Sequence, residues 1–189
     1  MHPLEVLLTP LGRALRNRRA GEAASIAGDP QLATGTRFDV TSPSFADGQE
    51  IPAQHCGWLI GPNIAPALAW GPLPAGTVEL VLLLEDLDGP SETPRVHTIA
   101  SFPPPEGGLA EGALTPDAPG FRFAPRDGKP GRYVGPRPLP GHGTHRYRFH
   151  LYAVDAPIDV AALTDPRQLP GALAGHVLGS GTLIGTRAA

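Results

Sequence analysis

The sequence predicts a mainly β protein, an antiparallel β-sandwich with a few peripheral helices. Of its 189 residues, 24 are glycine and 24 are proline, which cost roughly 1 and 3 kcal/mol per residue inside helices. Apolar residues make up 41% and the formal net charge is only −3, so neither low hydrophobicity nor self-repulsion holds the chain unfolded. Short apolar or alternating segments, separated by turn clusters, complete the pattern of a turn-rich β domain.

The first predicted element is an N-terminal helix. Apolar residues recur at helical spacing from Leu4 to Leu15, and arginines follow before Gly21. Residues 1–37 carry five arginines and three acids, net +2, against −5 for the remainder. We therefore separate residues 1–37, a basic amphipathic helix and linker, from residues 38–189, the main domain. The helix has three interpretations: it docks a protein partner or a second copy of the chain, it lies on an anionic membrane surface, or it packs its leucines on its own domain.

Strands dominate the rest of the prediction. Thr77–Leu84 is almost continuously apolar, which indicates a strand buried on both faces. Thr144–Asp155 alternates, with His145 and Tyr147 on one face. Asp165-Pro166 is typical of a helix start. The other predicted elements are strands at Arg37–Val40, Val96–Ala100 and Ser180–Thr186, and a short helix near Leu169–Val177.

Several protein classes are excluded by what the sequence lacks. Cys56 is the single cysteine, so no intrachain disulfide forms. No apolar run approaches the ~20 residues of a membrane-spanning helix, and the first residues have no basic region of the secretory type. The mildly acidic charge does not favour nucleic acid. We expect a cytoplasmic protein without a transmembrane segment.

Three segments carry candidate chemistry. Asp86 and Asp88 come where the buried strand ends, His97 lies on an apolar strand, and His145 and Tyr147 share a strand face. A purely structural role is the alternative: the two acids could form a turn, and His97 could be a hydrogen-bonded core residue. If Asp86 meets both histidines, the carboxylate favours protonated imidazoles whose N–H groups suit an anion.

Two metal hypotheses also arise from these residues. Asp86, His97 and His145 have the composition of a two-histidine, one-carboxylate metal site, which would make the protein a metal-dependent enzyme. His142 and His145 have the spacing of a ligand pair, but on a strand their side chains point to opposite faces. No nucleophile elbow, phosphate-binding loop or paired C-x-x-C occurs. We expect no enzyme, no cofactor and no metal.

Four motifs in order resemble the phosphatidylethanolamine-binding protein family, in particular its bacterial Raf-kinase-inhibitor-like members. The resemblance extends from about Phe38 to Thr186. NIAPALAW at 63–70 is similar to N-x-S-P-x-L-x-W, LPAGT at 73–77 to V-P-x-G-T, DLDGP at 86–90 to D-P-D-A-P, and residues 133–147 to Y-x-G-x-x-P-P-x-G-x-G-x-H-R-Y.

The resemblance implies a large antiparallel sheet packed against a smaller one, with an anion cavity at one end. The residues it assigns to the cavity are Asp86, His97, His145 and Tyr147, with Asp88 supporting them and Pro138 on the rim, and we add Arg137 to this ligand-binding set. It implies a non-enzymatic protein that binds phosphate or a phospho-headgroup, as a regulator or inhibitor-like module. The alternative is a protein–protein regulator of kinase or protease type with a vestigial pocket.

The chain also departs from the family pattern. Leu87 and Gly89 replace proline and alanine in the acidic signature, and Arg95 stands where an aromatic residue is common. Arg137 occupies a position that is usually small, where it adds a donor for the anion or closes the mouth. Binding of a small anion is therefore a firmer expectation than binding of a lipid.

Overall fold

A computed structural model describes residues 3–189. Within these residues the chain forms two α-helices, seven strands and several short 3₁₀ turns. The helices are α1 (Pro3–Leu15) and α2 (Leu169–Leu173). The strands are β1 (Val40–Thr41), β2 (Ala69–Trp70), β3 (Glu79–Asp86), β4 (Arg95–Phe102), β5 (Arg122–Phe123), β6 (His145–Val154) and β7 (Val177–Arg187). The 3₁₀ turns are Glu22–Ala24, Ile26–Gly28, Pro30–Leu32, Ala53–His55, Val160–Ala162 and Pro166–Gln168.

The strands form two antiparallel sheets, which confirms the predicted mainly β class. The large sheet has five strands in the order β5-β4-β3-β6-β7, and the small sheet pairs β1 with β2. Strand β3 lies at the centre of the large sheet and pairs with β4 on one edge and β6 on the other.

Apolar side chains cover the large sheet on both faces. Leu80, Leu82 and Leu84 of β3 belong to the core on the side of the small sheet. Val81 and Leu83 belong to a second core, which is closed by the 3₁₀ turns and α2. Every residue of β3 is buried, as its continuous apolar sequence predicts.

Two element boundaries differ from the sequence prediction. The helix predicted near Leu169–Val177 ends at Leu173, because Gly175 has a φ of 79° and turns the chain into β7. The strand predicted at Arg37–Val40 is reduced to Val40–Thr41. Residues 36–38 instead pair with the edge of β7, where Phe38 N–H donates to the Ser180 carbonyl.

Helix α1 packs closely on the domain at Gly12 and leaves three of its apolar side chains exposed. Gly12 is buried, and a Cβ there would lie 1.9 Å from the Pro140 carbonyl oxygen. Val6, Leu7 and Leu11 are exposed by 59%, 73% and 51%. The expectation that the leucines pack on the domain is therefore wrong for Leu7 and Leu11. Among residues 3–189, no helix is long and apolar enough to span a bilayer.

The contact at Gly12 gives a direct test of how α1 is docked. In Gly12→Ala, the new methyl group meets a backbone oxygen, so α1 must separate from the loop at Pro140. We expect trypsin to cleave the arginines of residues 13–19 at least about tenfold faster than in the wild type. Limited proteolysis followed by mass spectrometry measures these rates. Gly171→Ala is the matched control, since nothing lies within 4 Å of a Cβ there; equal rates in both variants would contradict the packing.

A candidate anion-binding site at one end of the large sheet

The pairing register of β3 and β6 places two of the predicted residues together. Asp86 is the last residue of β3 and stands directly opposite Tyr147 of β6. His145 lies two residues before Tyr147 on the same face. All three are buried, at 4%, 0% and 1% exposure for Asp86, Tyr147 and His145.

A β-bulge brings His97 to the same face. Leu84 pairs with Thr98 and Glu85 pairs with Val96, so His97 is left without a partner in the register. Glu85 faces the other side of the sheet, where its carboxylate accepts a hydrogen bond from the Ser25 hydroxyl at 2.5 Å. Without the bulge His97 would follow Glu85 to that side. With it, the His97 ring meets Tyr147 edge-on at a centroid distance of 5.4 Å.

His97 presents a hydrogen-bond acceptor to the site at neutral pH. Its Nδ1 lies 3.1 Å from the Val134 carbonyl oxygen, which only accepts, so Nδ1 carries the hydrogen. Burial lowers the pKa of His97 to about 4, with further contributions from Arg126 and Arg95 and opposition from Asp86. The neutral ring therefore leaves Nε2 as a lone pair. This differs from the expectation that His97 donates.

His145 has protein partners for both ring nitrogens. Its Nδ1 lies 2.8 Å from Oδ2 and 3.1 Å from Oδ1 of Asp86. Its Nε2 lies 2.7 Å from Nδ1 of His142. His142 Nε2 in turn lies 2.9 Å from the Leu15 carbonyl oxygen and 3.1 Å from that of Arg18. A continuous hydrogen-bonded chain thus runs from Asp86 to the segment that follows α1.

Hydrogen-bond chemistry assigns the donors at the two ends of this chain. The carbonyl oxygens only accept, so His142 Nε2 carries a hydrogen, and His145 Nδ1 donates to the Asp86 carboxylate. The contact between the two rings needs one more hydrogen.

The expectation about His142 is wrong. Strand β6 begins at His145, so His142 lies in the preceding turn and its ring is free to reach His145. The H-x-x-H spacing could have indicated that the two histidines meet. It was discounted because both residues were predicted to lie on one strand. The described residues also contain no cluster of three or more metal-ligating side chains, so the metal hypothesis gains no geometric support.

Asp88 is a positioning residue. Its carboxylate accepts from Arg146 Nε at 2.9 Å, Arg146 Nη2 at 3.1 Å and Arg146 N–H at 2.8 Å. Burial acts to raise the pKa of Asp88, but the hydrogen bonds and charge of Arg146 outweigh it and the pKa lies below its ordinary value. Asp88 N–H donates to Asp86 at 3.0 Å, so the two acids also form the turn that their spacing indicates.

The segment after α1 closes the site from outside. Arg19 Nη1 donates to the Thr144 carbonyl at 2.9 Å and lies 3.5 Å from Asp88. Ala20 and Gly21 donate their N–H groups to the carbonyls of Gly89 and Leu87. Sequence reasoning missed Arg19 and Arg146, because their partners lie over 50 residues away and no local motif marks them.

The Tyr147 hydroxyl is buried and has no hydrogen-bond partner in the described structure. The Arg137 backbone and the Asp86 carboxylate approach it, but neither meets hydrogen-bonding geometry. Burial and the Asp86 charge raise the pKa of Tyr147, so the hydroxyl keeps its proton. Pro138 is buried beside this region, whereas Arg137 is exposed.

A cavity of about 680 Å³ lies elsewhere, between residues 27–41 and strands β6 and β7. His150 lines it, but His150 Nε2 is directed toward Glu85, with 3.9 Å to Oε2. Asp86, His97, His145 and Tyr147 do not line this cavity. It is therefore separate from the site.

Comparison with known proteins shows what the chain resembles. The family described as phosphatidylethanolamine-binding protein matches residues 41–188. A UPF0098 protein of Mycobacterium tuberculosis is 40% identical over 134 residues, 71% of this chain and 62% of the relative, so the chain spans less than two thirds of that protein. A protein of the same species named as a lipoprotein, LppC, is 36% identical over 78% of this chain and 70% of its own length. A UPF0098 protein of Methanothermobacter thermautotrophicus is 35% identical over 78% of this chain and 97% of its own length.

Solved structures show the same fold. A phosphatidylethanolamine-binding protein homologue of Chlamydia trachomatis, CT736, has a TM-score of 0.69 and 28% identity, covering 81% of this chain and 98% of its own. YbcL of Escherichia coli has a TM-score of 0.70 and 22% identity, covering 80% and 98%. At 22% identity the second likeness concerns the fold alone. Arg19 and α1 lie outside the residues that the family match covers.

The buried, neutral His97 predicts how stability depends on pH. The unfolded chain binds a proton on this histidine near pH 6.5, whereas the folded chain does so only near pH 4. The unfolded state therefore binds more protons between these values, and stability is fully present above pH 6.5 and lost as the pH falls to 4. The contribution is on the order of 3 kcal/mol.

Denaturant unfolding at a series of pH values measures this dependence. His97→Gln should show a shallower fall in the free energy of unfolding over the same range, whatever its stability at neutral pH. His176→Gln is the control, because His176 is exposed and pairs with Asp155 at the surface. Parallel curves for His97→Gln and the wild type would contradict the assignment.

Proposed function

Because the chain belongs to the phosphatidylethanolamine-binding protein family, we propose that it is a non-enzymatic binding protein for a small anion. The ligand is phosphate or the phosphate of a phospho-headgroup, including that of a phospholipid, and the role is that of a regulator or Raf-kinase-inhibitor-like module. Asp86, His97, His145 and Tyr147 form the site, Asp88 supports it, and Pro138 and Arg137 lie at its edge.

The unpartnered Tyr147 hydroxyl is the observation that carries this proposal. A buried donor without a partner costs roughly 1–3 kcal/mol, which a bound oxyanion would recover. The Tyr147 ring lies 5.4 Å from the His97 ring and 6.3 Å from the His145 ring, and the Asp86 carboxylate approaches its hydroxyl, so a ligand oxygen there would have polar neighbours. His97 Nε2 is an acceptor and suits the protonated oxygen of a hydrogen phosphate.

Binding of the anion involves a competition with His142. The His145 Nε2 that would donate to the ligand already lies 2.7 Å from His142 Nδ1. An anion gains this donor only when His142 moves aside. His142 then leaves the carbonyls of Leu15 and Arg18, so ligand binding and docking of the segment after α1 are linked.

The expected affinity is modest. A five-atom oxyanion at the ligand-efficiency limit of about −1.5 kcal/mol per atom reaches about −7.5 kcal/mol, a few micromolar. Displacement of His142 weakens this further. Tighter binding requires further groups on the ligand or a protein partner.

The location we propose is the cytoplasm, with no role for nucleic acid. The sequence-based expectation supports this location. One relative is named as a lipoprotein, but that name describes the relative and not this chain. Fractionation of cells that express the full native protein decides the location.

The alternative function is a protein–protein regulator of kinase- or protease-inhibitor type whose pocket is vestigial. Two observations favour it. The pairing of His145 with His142 fills the place of a ligand, and Val6, Leu7 and Leu11 leave an apolar stripe exposed on α1. A second copy of the chain fits this stripe, because two identical apolar stripes are self-complementary about a two-fold axis.

Calorimetric titration with inorganic phosphate tests the anion site. The wild type should bind, His145→Ala should not, and Tyr147→Phe should bind about tenfold more weakly for loss of one donor. His142→Ala should bind about tenfold more tightly, because the competing ring is gone. His176→Ala, at an exposed surface ion pair, is the control.

The outcomes separate the two functions. If phosphate binds the wild type and His145→Ala with the same affinity, the anion binds elsewhere on the protein. No binding to either the wild type or His142→Ala would overturn the anion site and support the vestigial pocket.

Sedimentation equilibrium tests the apolar stripe of α1. The wild type should self-associate with rising concentration, and Leu7→Asp combined with Leu11→Asp should remain monomeric, because burying two carboxylates at the interface is unfavourable. Val78→Asp, at another exposed apolar residue, is the control. A wild type that stays monomeric would contradict dimerisation through α1.

A further inference from the structure

Four arginines gather beside the anion site, and we call them the arginine cluster: Arg95, Arg126, Arg132 and Arg137. Arg95 Nη2 and Arg126 Nε lie 3.7 and 3.6 Å from the same oxygen, Oδ2 of Asp127. Arg126 and Arg132 line one small cavity together with His97. Arg132 and Arg137 are exposed.

The loop that carries Arg132 and Arg137 is held rigidly. The Tyr133 hydroxyl donates to the His55 carbonyl at 2.8 Å, and Val134 N–H donates to the Thr98 hydroxyl at 3.0 Å. Gly135 N–H donates to Asn63 Oδ1 at 2.8 Å. The exposed guanidinium groups thus project from a fixed backbone, which reduces the entropy lost when they bind.

The arginine cluster borders the anion site directly. Arg95 pairs across the sheet with Asp86, and the Val134 carbonyl that orients His97 lies between Arg132 and Arg137 in the chain. The charges of Arg126 and Arg95 contribute to the lowered pKa of His97, in agreement with their closeness. A ligand in the site is therefore also a neighbour of the guanidinium groups.

The arginine cluster is electrostatically unfavourable in the free protein. Burial and then the charges of Arg95, Arg137 and Arg132 lower the pKa of Arg126, and Asp127 only partly compensates. The whole chain is acidic, with a formal net charge of −3. Positive charge held together against repulsion is typical of a surface that meets an anion.

We infer that the ligand carries a second anionic group next to its phosphate and that the arginine cluster binds this second group. The inference rests on the proposed function of the anion site. Planar guanidinium groups bind phosphate and carboxylate oxygens in pairs of hydrogen bonds, which suits a diphosphate or a phosphate with a nearby carboxylate. The ammonium group of an ethanolamine headgroup meets like charge there and is disfavoured.

Three probes at constant ionic strength test this inference: inorganic phosphate, diphosphate and phosphoethanolamine. The wild type should bind diphosphate at least about tenfold more tightly than phosphate, and phosphoethanolamine no more tightly than phosphate. Arg132→Gln combined with Arg137→Gln should bring the affinities for diphosphate and phosphate close together. Both residues are exposed, so the fold is preserved, and the affinity for diphosphate should fall by a larger factor than the affinity for phosphate.

Arg167→Gln is the matched control, because Arg167 is an exposed arginine paired with Asp165 at the surface. One outcome would overturn the inference while the proposed function stands. In it, the wild type binds phosphate, His145→Ala does not, and Arg132→Gln/Arg137→Gln still prefers diphosphate. Tighter binding of phosphoethanolamine than of phosphate would also overturn the inference and leave the proposed function intact. Phosphate that binds neither the wild type nor His142→Ala removes the proposed function and the inference with it.

Discussion

The burial of β3 on both faces is the constraint on which the rest of the structure depends. Strand β3 has apolar cores above and below and is held between β4 and β6 in a defined pairing register. That register fixes Asp86 opposite Tyr147 at the end of the strand. A carboxylate in this position is removed from water, so it requires the hydrogen bonds of His145 and of Asp88 N–H.

The polar groups at this end of the sheet are therefore connected rather than independent. Asp86 holds His145, His145 holds His142, and His142 holds the carbonyls of the segment after α1. Asp88 and Arg146 form a second set of contacts. Asp88 also lies next to Arg19, which connects this set to the same segment. The N-terminal segment is consequently part of the architecture of the site, although the family match begins only at residue 41.

Sequence reasoning reached the features that depend on periodicity. The continuous apolar run predicted a fully buried β3, and the alternation after Thr144 placed His145 and Tyr147 on one face, as the structure shows. Sequence reasoning failed for residues whose position depends on where a strand begins or on contacts with residues distant in the sequence. The turn position of His142, the bulge at His97 and the contacts of Arg19 have no local periodic signal, because each is set by tertiary packing.

The chain of histidines has a consequence for how related proteins diverge. A buried imidazole at position 142 needs an acceptor for its Nε2–H, and here the backbone of residues 15–18 supplies it. A relative that lost the N-terminal segment would lose this acceptor and the cover over the imidazole, and one that lost the imidazole would remove this partner of the Arg18 carbonyl. We therefore expect the two features to be inherited together, so that a histidine at this turn in a related sequence indicates an N-terminal helix folded back over the end of the sheet.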